Sequence, residues 1–259
     1  MKFPKNLKIL FLDIETMPNI AAVWATGYDM NIQPEAIIQE RFILSAQWAW
    51  NNEAKVHGVL SNIKKRDDSN VVKAVTKEIE KADIVVGHNV RKFDLRWVAG
   101  RALLLGLQPT RSKFIKHIDT LKLAKEAFYL NSYKMDYLCK KLGIQGKTKT
   151  SFSDWMAILD VDKNPNVAQA RAEYLLKYGK NDILMNRKLL IKILPHVKLQ
   201  KKIEMMIYGS AVNCIECQSF RVHFNENRVT KAGKEFSRFR CSDCGHGFSV
   251  AKASYKHDK

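Results

Sequence analysis

The stretch KILFLDIET, Lys8 to Thr16, runs four strongly apolar residues straight into Asp13, with Glu15 two positions further on. An apolar run of this length, followed by a turn signal at Pro18, reads as a buried first strand over residues 7–14. Successive strand residues face opposite ways, so Asp13 and Glu15 share one face while Ile14 turns to the other. Two carboxylates at one strand end raise each other's pKa unless a cation lies between them. For an isolated D-x-E, a solvent-facing strand end before a turn is the preferred account. The decision rests on whether further acids converge on the same place.

Outward from that strand, RFILSAQWAW and AKVHGVL read as two more strands separated by the turn residues NNE. Val71, Val72, Val75 and Ile79 repeat with a helical period, giving a helix over 70–81 with Ser69 as its N-cap. DIVVGHN is a short buried strand, Phe93 to Leu105 a second helix and FIKHIDT a last strand, after which the chain is helical to Val197. Strands followed by alternating helices and strands predict a mixed α/β sheet. Segment 16–40 is a long connection with few regular signals, and such connections are often functional. Cys139 falls in an amphipathic helical stretch and reads as a small core residue.

The chain has 259 residues, room for one substantial domain and a small one. Its 44 Lys and Arg against 26 Asp and Glu leave a formal charge of +18, a surplus that favours polyanionic partners, nucleic acid first. No run of ~18 apolar residues, signal peptide or lipidation motif is visible, so a soluble cytoplasmic protein with no membrane partner is expected.

The acids recur. In GHNVRKFDLRWV, Asp94 falls on the first turn of a helix just after a strand, preceded by Asn89 and Phe93. In YLLKYGKNDILMNRKLL, Tyr178 and Asp182 are four apart and share a helix face. Taken in order, Asp13-x-Glu15, Asn89-x-x-x-Phe93-Asp94 and Tyr178-x-x-x-Asp182 resemble the three sequence blocks of the DEDD 3′–5′ exonuclease superfamily, over the span 7–195. The tyrosine is similar to that of the DEDDy branch. ILFLDIETMP with VVGHN and FDL looks closest to stand-alone, phage-encoded exonucleases related to the proofreading domain of family B DNA polymerases.

The resemblance implies a ribonuclease H-like fold, a mixed five-stranded sheet flanked by helices. It implies that Asp13, Glu15, Asp94 and Asp182 hold two Mg²⁺ or Mn²⁺ ions, hard cations suited to carboxylate oxygen. Tyr178 would orient or help deprotonate the attacking water. Asn89, Phe93 and Lys180 would contact substrate. For Asn89 a turn cap, and for Lys180 a solvated side chain, are the competing readings. His88 reads as a packed histidine. Asp119 is equally a helix N-cap or the polar position seen after the family's last strand. Trp24 and Tyr28 read as packing of the long connection before stacking on bases. The implied substrate is single-stranded nucleic acid, DNA in preference to RNA. The chain lacks room for a polymerase domain, so proofreading would need a polymerase or replication partner. An RNA-trimming or structure-selective nuclease, or a non-catalytic replication-accessory protein on the same scaffold, stays open.

From Gly209 the composition changes. Cys214, Cys217, Cys241 and Cys244 form two C-x₂-C pairs separated by 23 residues, slightly beyond the usual ~15–20 but within reach of a β-hairpin. Four thiolates suit one tetrahedral Zn²⁺, giving a C-terminal zinc ribbon that binds nucleic acid or a partner protein. His246 is a substitute-ligand candidate. Phenylalanines interleaved with basic residues serve either as the small core or as a binding face. The expected division is 1–206 for the exonuclease domain and 207–259 for the ribbon.

Overall fold

The computed structural model describes residues 7–27, 29–107, 115–144, 150–199, 203, 207, 212–217, 219 and 221–251. The chain divides into two compact units, one spanning Lys8–Lys198 and the other carrying the residues from Leu199 onward.

The first unit is built on β1 (Ile9–Thr16), β2 (Ile20–Ala21), β3 (Ile37–Gln39), β4 (Ile43–Trp50), β5 (His57–Leu60), α1 (Ser69–Lys81), β6 (Ile84–Gly87), α2 (Asp94–Leu104) and β7 (Lys116–Asp119). It continues through α3 (Thr120–Ala127), α4 (Met135–Lys141), α5 (Phe152–Leu159) and α6 (Pro165–Ile193). The sheet order is β5-β4-β1-β6-β7. β1 runs antiparallel to β4 and parallel to β6, and β6 parallel to β7. This is the ribonuclease H-like exonuclease fold: a mixed five-stranded sheet flanked by helices.

The central strand is apolar on both sides because both faces are covered. Leu10, Leu12 and Ile14 pack on Val71, Val72, Val75 and Ile79 of α1 and on Leu95, Val98 and Ala102 of α2. On the opposite face, Leu44 and Met17 meet Ile158 of α5 and Ala168, Ala172 and Leu175 of α6. Helix α6 opens on Pro165, where the fixed φ and missing N–H are tolerated. Gly179 lets it lie close to β4, since a Cβ there would come within 2.5 Å of the Gln47 amide. Ser151 and Asp154 form a capping box at the start of α5. Trp155 then donates its indole N–H to the carbonyl of Thr16 at 3.1 Å, pinning the end of β1.

Two expectations need correction. Ser69 lies inside α1, not at its N-cap, which is Asp68. The Asp68 carboxylate caps nothing there, because it accepts from Ile43 N–H at 2.9 Å and from the Arg101 guanidinium at 2.7 and 2.8 Å. Trp24 packs nothing: it is fully exposed, while Tyr28 lies outside the described residues. The 16–40 connection carries the two-stranded β2–β3 pairing instead. Cys139 is buried in α4 as expected. Among the described residues, no helix is long and apolar enough to cross a membrane.

The second unit is a three-stranded antiparallel sheet, order β10-β9-β8, of β8 (Val222–Val229), β9 (Glu235–Cys241) and β10 (Gly247–Ala251). Val222, Phe239, Cys241 and Phe248 form its small core, with the Phe239 and Phe248 rings stacked at 5.9 Å. Phe224 is largely exposed, Phe236 half-buried, and Phe220 lies outside the described residues.

Candidate active site

Asp13 and Glu15 emerge on the α6 face of β1, where Gln47 and Ser45 of β4 stand directly opposite them in register. Asp94 arrives from the other side. Strand β6 accompanies β1 only as far as Phe11, paired with Val86. Beyond it the chain turns through Asn89, held at φ 71°, a left-handed conformation that Asn tolerates better than most residues. The Asn89 carbonyl accepts from the N–H groups of Lys92 and Phe93 at 3.1 and 3.0 Å, closing the turn that starts α2. Asp94 Oδ1 then accepts the Ile14 N–H at 3.0 Å, so a carboxylate replaces the strand that β1 lacks at that point. Gly87 permits the approach: a Cβ there would lie 2.8 Å from the Leu12 carbonyl oxygen and 2.6 Å from the Val90 Cβ.

Helix α6 supplies the fourth acid. Asp182 is buried on its sheet-facing side, and Tyr178, one turn earlier, hydrogen-bonds its carboxylate. The four acids feel one another. Burial first, then Asp94, Glu15 and Asp182, push the Asp13 carboxyl well above its ordinary range. Burial, with Asp182 and Asp94, raises Glu15 to about 8. Burial raises Asp94 to about 7, even though the N–H of Ile14 favours its charged form. Burial and the neighbouring carboxylates raise the Tyr178 phenol, so it is protonated at all ordinary pH. Protein alone therefore does not stabilise four ionised acids here. A donor set of carboxylate oxygens under mutual repulsion fits hard divalent cations, which would relieve it.

Around the acids the supporting groups are ordered. Asp119 accepts from the N–H groups of Asn89, Leu121 and Lys122 at 2.9, 3.1 and 3.2 Å, so it both caps α3 and holds the Asn89 turn. His88 is packed: Nε2–H donates to the Tyr133 carbonyl at 2.9 Å, Nδ1 lies 3.0 Å from the Thr120 hydroxyl, and burial lowers its pKa. The Asn89 carboxamide makes no hydrogen bond among the described residues, and the half-buried Phe93 ring tilts against Trp97 at 6.4 Å. Lys180 is not brought to the acids. Its Cε lies where a Cβ on Gly58 would be, 2.7 Å away, on edge strand β5 two strands from Asp13. Gln47 escaped sequence reading because its place opposite Asp13 depends on an antiparallel register that no local pattern encodes.

In the second unit, Cys214, Cys217, Cys241 and Cys244 bring their sulfurs within 4.8 Å of one another, the tight group of metal-ligating side chains found among the described residues. Cys214 and Cys244 are 3.6 Å apart at sulfur, Cys217 and Cys241 3.5 Å. Sulfurs ~2.3 Å from a tetrahedral zinc lie roughly 3.8 Å from each other, so the set fits Zn²⁺ and is far too open for disulfides at ~2.05 Å. Burial opposes ionisation of Cys241, but N–H donation from Cys244 and Asp243 outweighs it and lowers the thiol to about 7. The His246 ring stacks on Phe248 at 6.4 Å and stands outside the cysteine group.

An exonuclease family model, RNase_T, matches residues 54–161, a span that includes Asn89, Phe93, Asp94 and Asp119. No curated protein sequence matches the chain. Among solved structures, the family B DNA polymerase of the hyperthermophilic archaeon Pyrobaculum calidifontis superposes with a TM-score of 0.55 at 15% identity, over 89% of this chain. The chain spans 32% of that polymerase's length. At that identity the likeness speaks for the fold. The family match adds that the stretch carrying Asn89, Phe93 and Asp94 is similar in sequence to an exonuclease.

Proposed function

We propose that the chain is a metal-dependent 3′–5′ exonuclease that removes nucleotides from single-stranded nucleic acid, DNA in preference to RNA, in the manner of the DEDDy branch. The observation that carries the reading is that Asp13 and Glu15 from β1, Asp94 from α2 and Asp182 from α6 come close enough for their charges to act on one another, with the Tyr178 hydroxyl hydrogen-bonded to Asp182. Asp13, Glu15, Asp94 and Asp182 would hold two Mg²⁺ or Mn²⁺ ions, which when bound supply charge neutralisation at the phosphoryl oxygens and activation of water.

The chain's own residues do the positioning. Tyr178 donates its hydroxyl hydrogen bond to Asp182 and keeps its proton, which leaves the phenol oxygen's lone pairs free to accept from the attacking water and aim it. Asp119 fixes the Asn89 turn, so the Asn89 carboxamide and Phe93 ring are presented beside Asp94 to the terminal nucleotide. The cysteine site would hold one structural Zn²⁺, and the ribbon around it would help retain substrate.

End-labelled single- and double-stranded DNA and RNA, incubated with Mg²⁺, Mn²⁺ or EDTA, test the reading. Stepwise loss from the 3′ end of single strands, silenced by EDTA and by Asp13→Ala or Asp182→Asn, is expected. Hydrolysis at near wild-type rate by either folded variant would overturn the assignment.

A further inference from the structure

Beside the acids, a cavity of about 660 Å³ opens between the exposed side of α2 and the segment carrying β2 and β3. Its lining includes Phe93, the residue before Asp94, and Asn19, three residues past the end of β1, so both chain segments that line it also carry the acids. Three cations line it, Arg41, Lys92 and Arg96, and none pairs with a carboxylate among the described residues. The fourth, Arg101, is held bidentate by the buried Asp68 and is not free to bind a ligand. Glu40 is the acid facing them. Elsewhere on the unit, basic side chains such as Lys81, Lys122 and Arg171 have found acidic neighbours.

The cations are interleaved with flat surfaces. The Arg41 guanidinium lies over the Trp97 ring, 4.6 Å from its centroid, and Trp97 leans on Phe93. The backbone of Arg41 is fixed by donation from its N–H to Asn19 Oδ1 at 2.7 Å. A guanidinium stacked on an indole presents a planar platform on which a nucleobase can continue the stack. Gly100 leaves the groove floor without a side chain, and nothing would meet a Cβ there within 4 Å. Unpaired cations spaced along an aromatic platform are the chemistry that grips a single polynucleotide strand, phosphates outward and bases stacked.

We propose that this groove carries the stretch of single strand adjoining the nucleotide being removed, with Lys92 and Arg96 on its phosphates and the Arg41–Trp97 stack under a base. The proposal rests on the exonuclease reading for the identity of the substrate.

Its test reads binding in EDTA, where cleavage plays no part. Fluorescence anisotropy of labelled oligo(dT) and oligo(U) gives Kd over a salt series for the wild type, a Lys92→Glu/Arg96→Glu double variant and Arg41→Met. The double variant should weaken binding at least about tenfold and flatten the log–log salt slope by about 1.4, at about 0.7 for each phosphate no longer neutralised. Arg41→Met, which leaves α2 untouched, should weaken binding several-fold and change the slope by no more than a single phosphate would. Lys92, Arg96 and Arg41 are exposed, so thermal melting should match the wild type. Unchanged Kd and slope in both folded variants overturn the groove. A wild type that binds strands through these residues yet hydrolyses none supports the groove and sinks the exonuclease reading. Cleavage by the wild type with unaltered binding by the variants does the reverse.

Discussion

Tyr178 and Asp182 form one hydrogen-bonded pair, and the exonuclease reading makes the phenol an aligning group, not a metal ligand. Tyr178→Phe should therefore lower the single-turnover rate by about 10- to 100-fold, ~1.4 kcal/mol of transition-state stabilisation per tenfold, while leaving divalent-ion affinity within about twofold. Unchanged turnover would make the residue a core aromatic. Glu15 carries a different signature. Its folded pKa of about 8 exceeds the ordinary 4.5, so the folded state holds the proton more tightly than the unfolded chain does. That contribution to stability is fully present below about pH 4.5 and is lost as pH rises through about 8. In EDTA the melting temperature of the wild type should fall, relative to Glu15→Gln, between those limits, and Mg²⁺ or Mn²⁺ should abolish the difference. Parallel melting curves for the two proteins across that range would show that Glu15 titrates normally.

At the level of elements, the site depends on how closely β6 passes β1. Gly87→Ala would drive a methyl group into the Leu12 carbonyl oxygen and the Val90 side chain, one of them backbone that cannot swing aside. A cost of about 1–3 kcal/mol is expected from overpacking, read as a lower chemical-denaturation midpoint at constant m. Full wild-type stability would mean the strands separate without penalty. The same elements show what could be read from the sequence. β1, β4, β6, α1 and α2 were legible because each buries a run or stripe of apolar residues, and a stripe is a local pattern. The β2–β3 pairing was not, because two- and three-residue strands show no alternation. The start of α1 was misread for a related reason: Ser69 suits a capping position by local type, but the N-cap is Asp68, whose carboxylate partners, Ile43 and Arg101, are brought by tertiary packing. The acids announced themselves by type and spacing. The Arg41–Trp97 platform did not, since it joins residues far apart in sequence with no motif between them.

For the molecule as a whole, the exonuclease reading places hard oxygen ligands in one unit and soft thiolates in the other, so the two metal sites it proposes should be chemically separable. Elemental analysis should find about one zinc per chain, because a four-thiolate site closes around a single ion. Stripping it with a thiol-competing chelator should collapse the amide dispersion of Val222–Ala251, whose core is a handful of side chains, while resonances of the first unit keep theirs. Zinc absent from the purified protein, or simultaneous collapse of both units, would contradict this independence. Mg²⁺ should leave the ribbon's spectrum untouched.

The hydrogen bond from Ile14 to Asp94 gives one acid two jobs, and that bears on how such a chain could drift. On the exonuclease reading Glu15 and Asp182 hold no backbone donor of the sheet, whereas Asp94→Ala would also strand a buried N–H of the central strand, at ~1–3 kcal/mol. Asparagine keeps the acceptor, so Asp94→Asn should be inactive yet nearly as stable as the parent in urea, and Asp94→Ala inactive and weakened. A descendant released from selection for hydrolysis would then shed its other acids first and keep an Asp or Asn at position 94. The last trace of the reaction would survive as a piece of β-sheet.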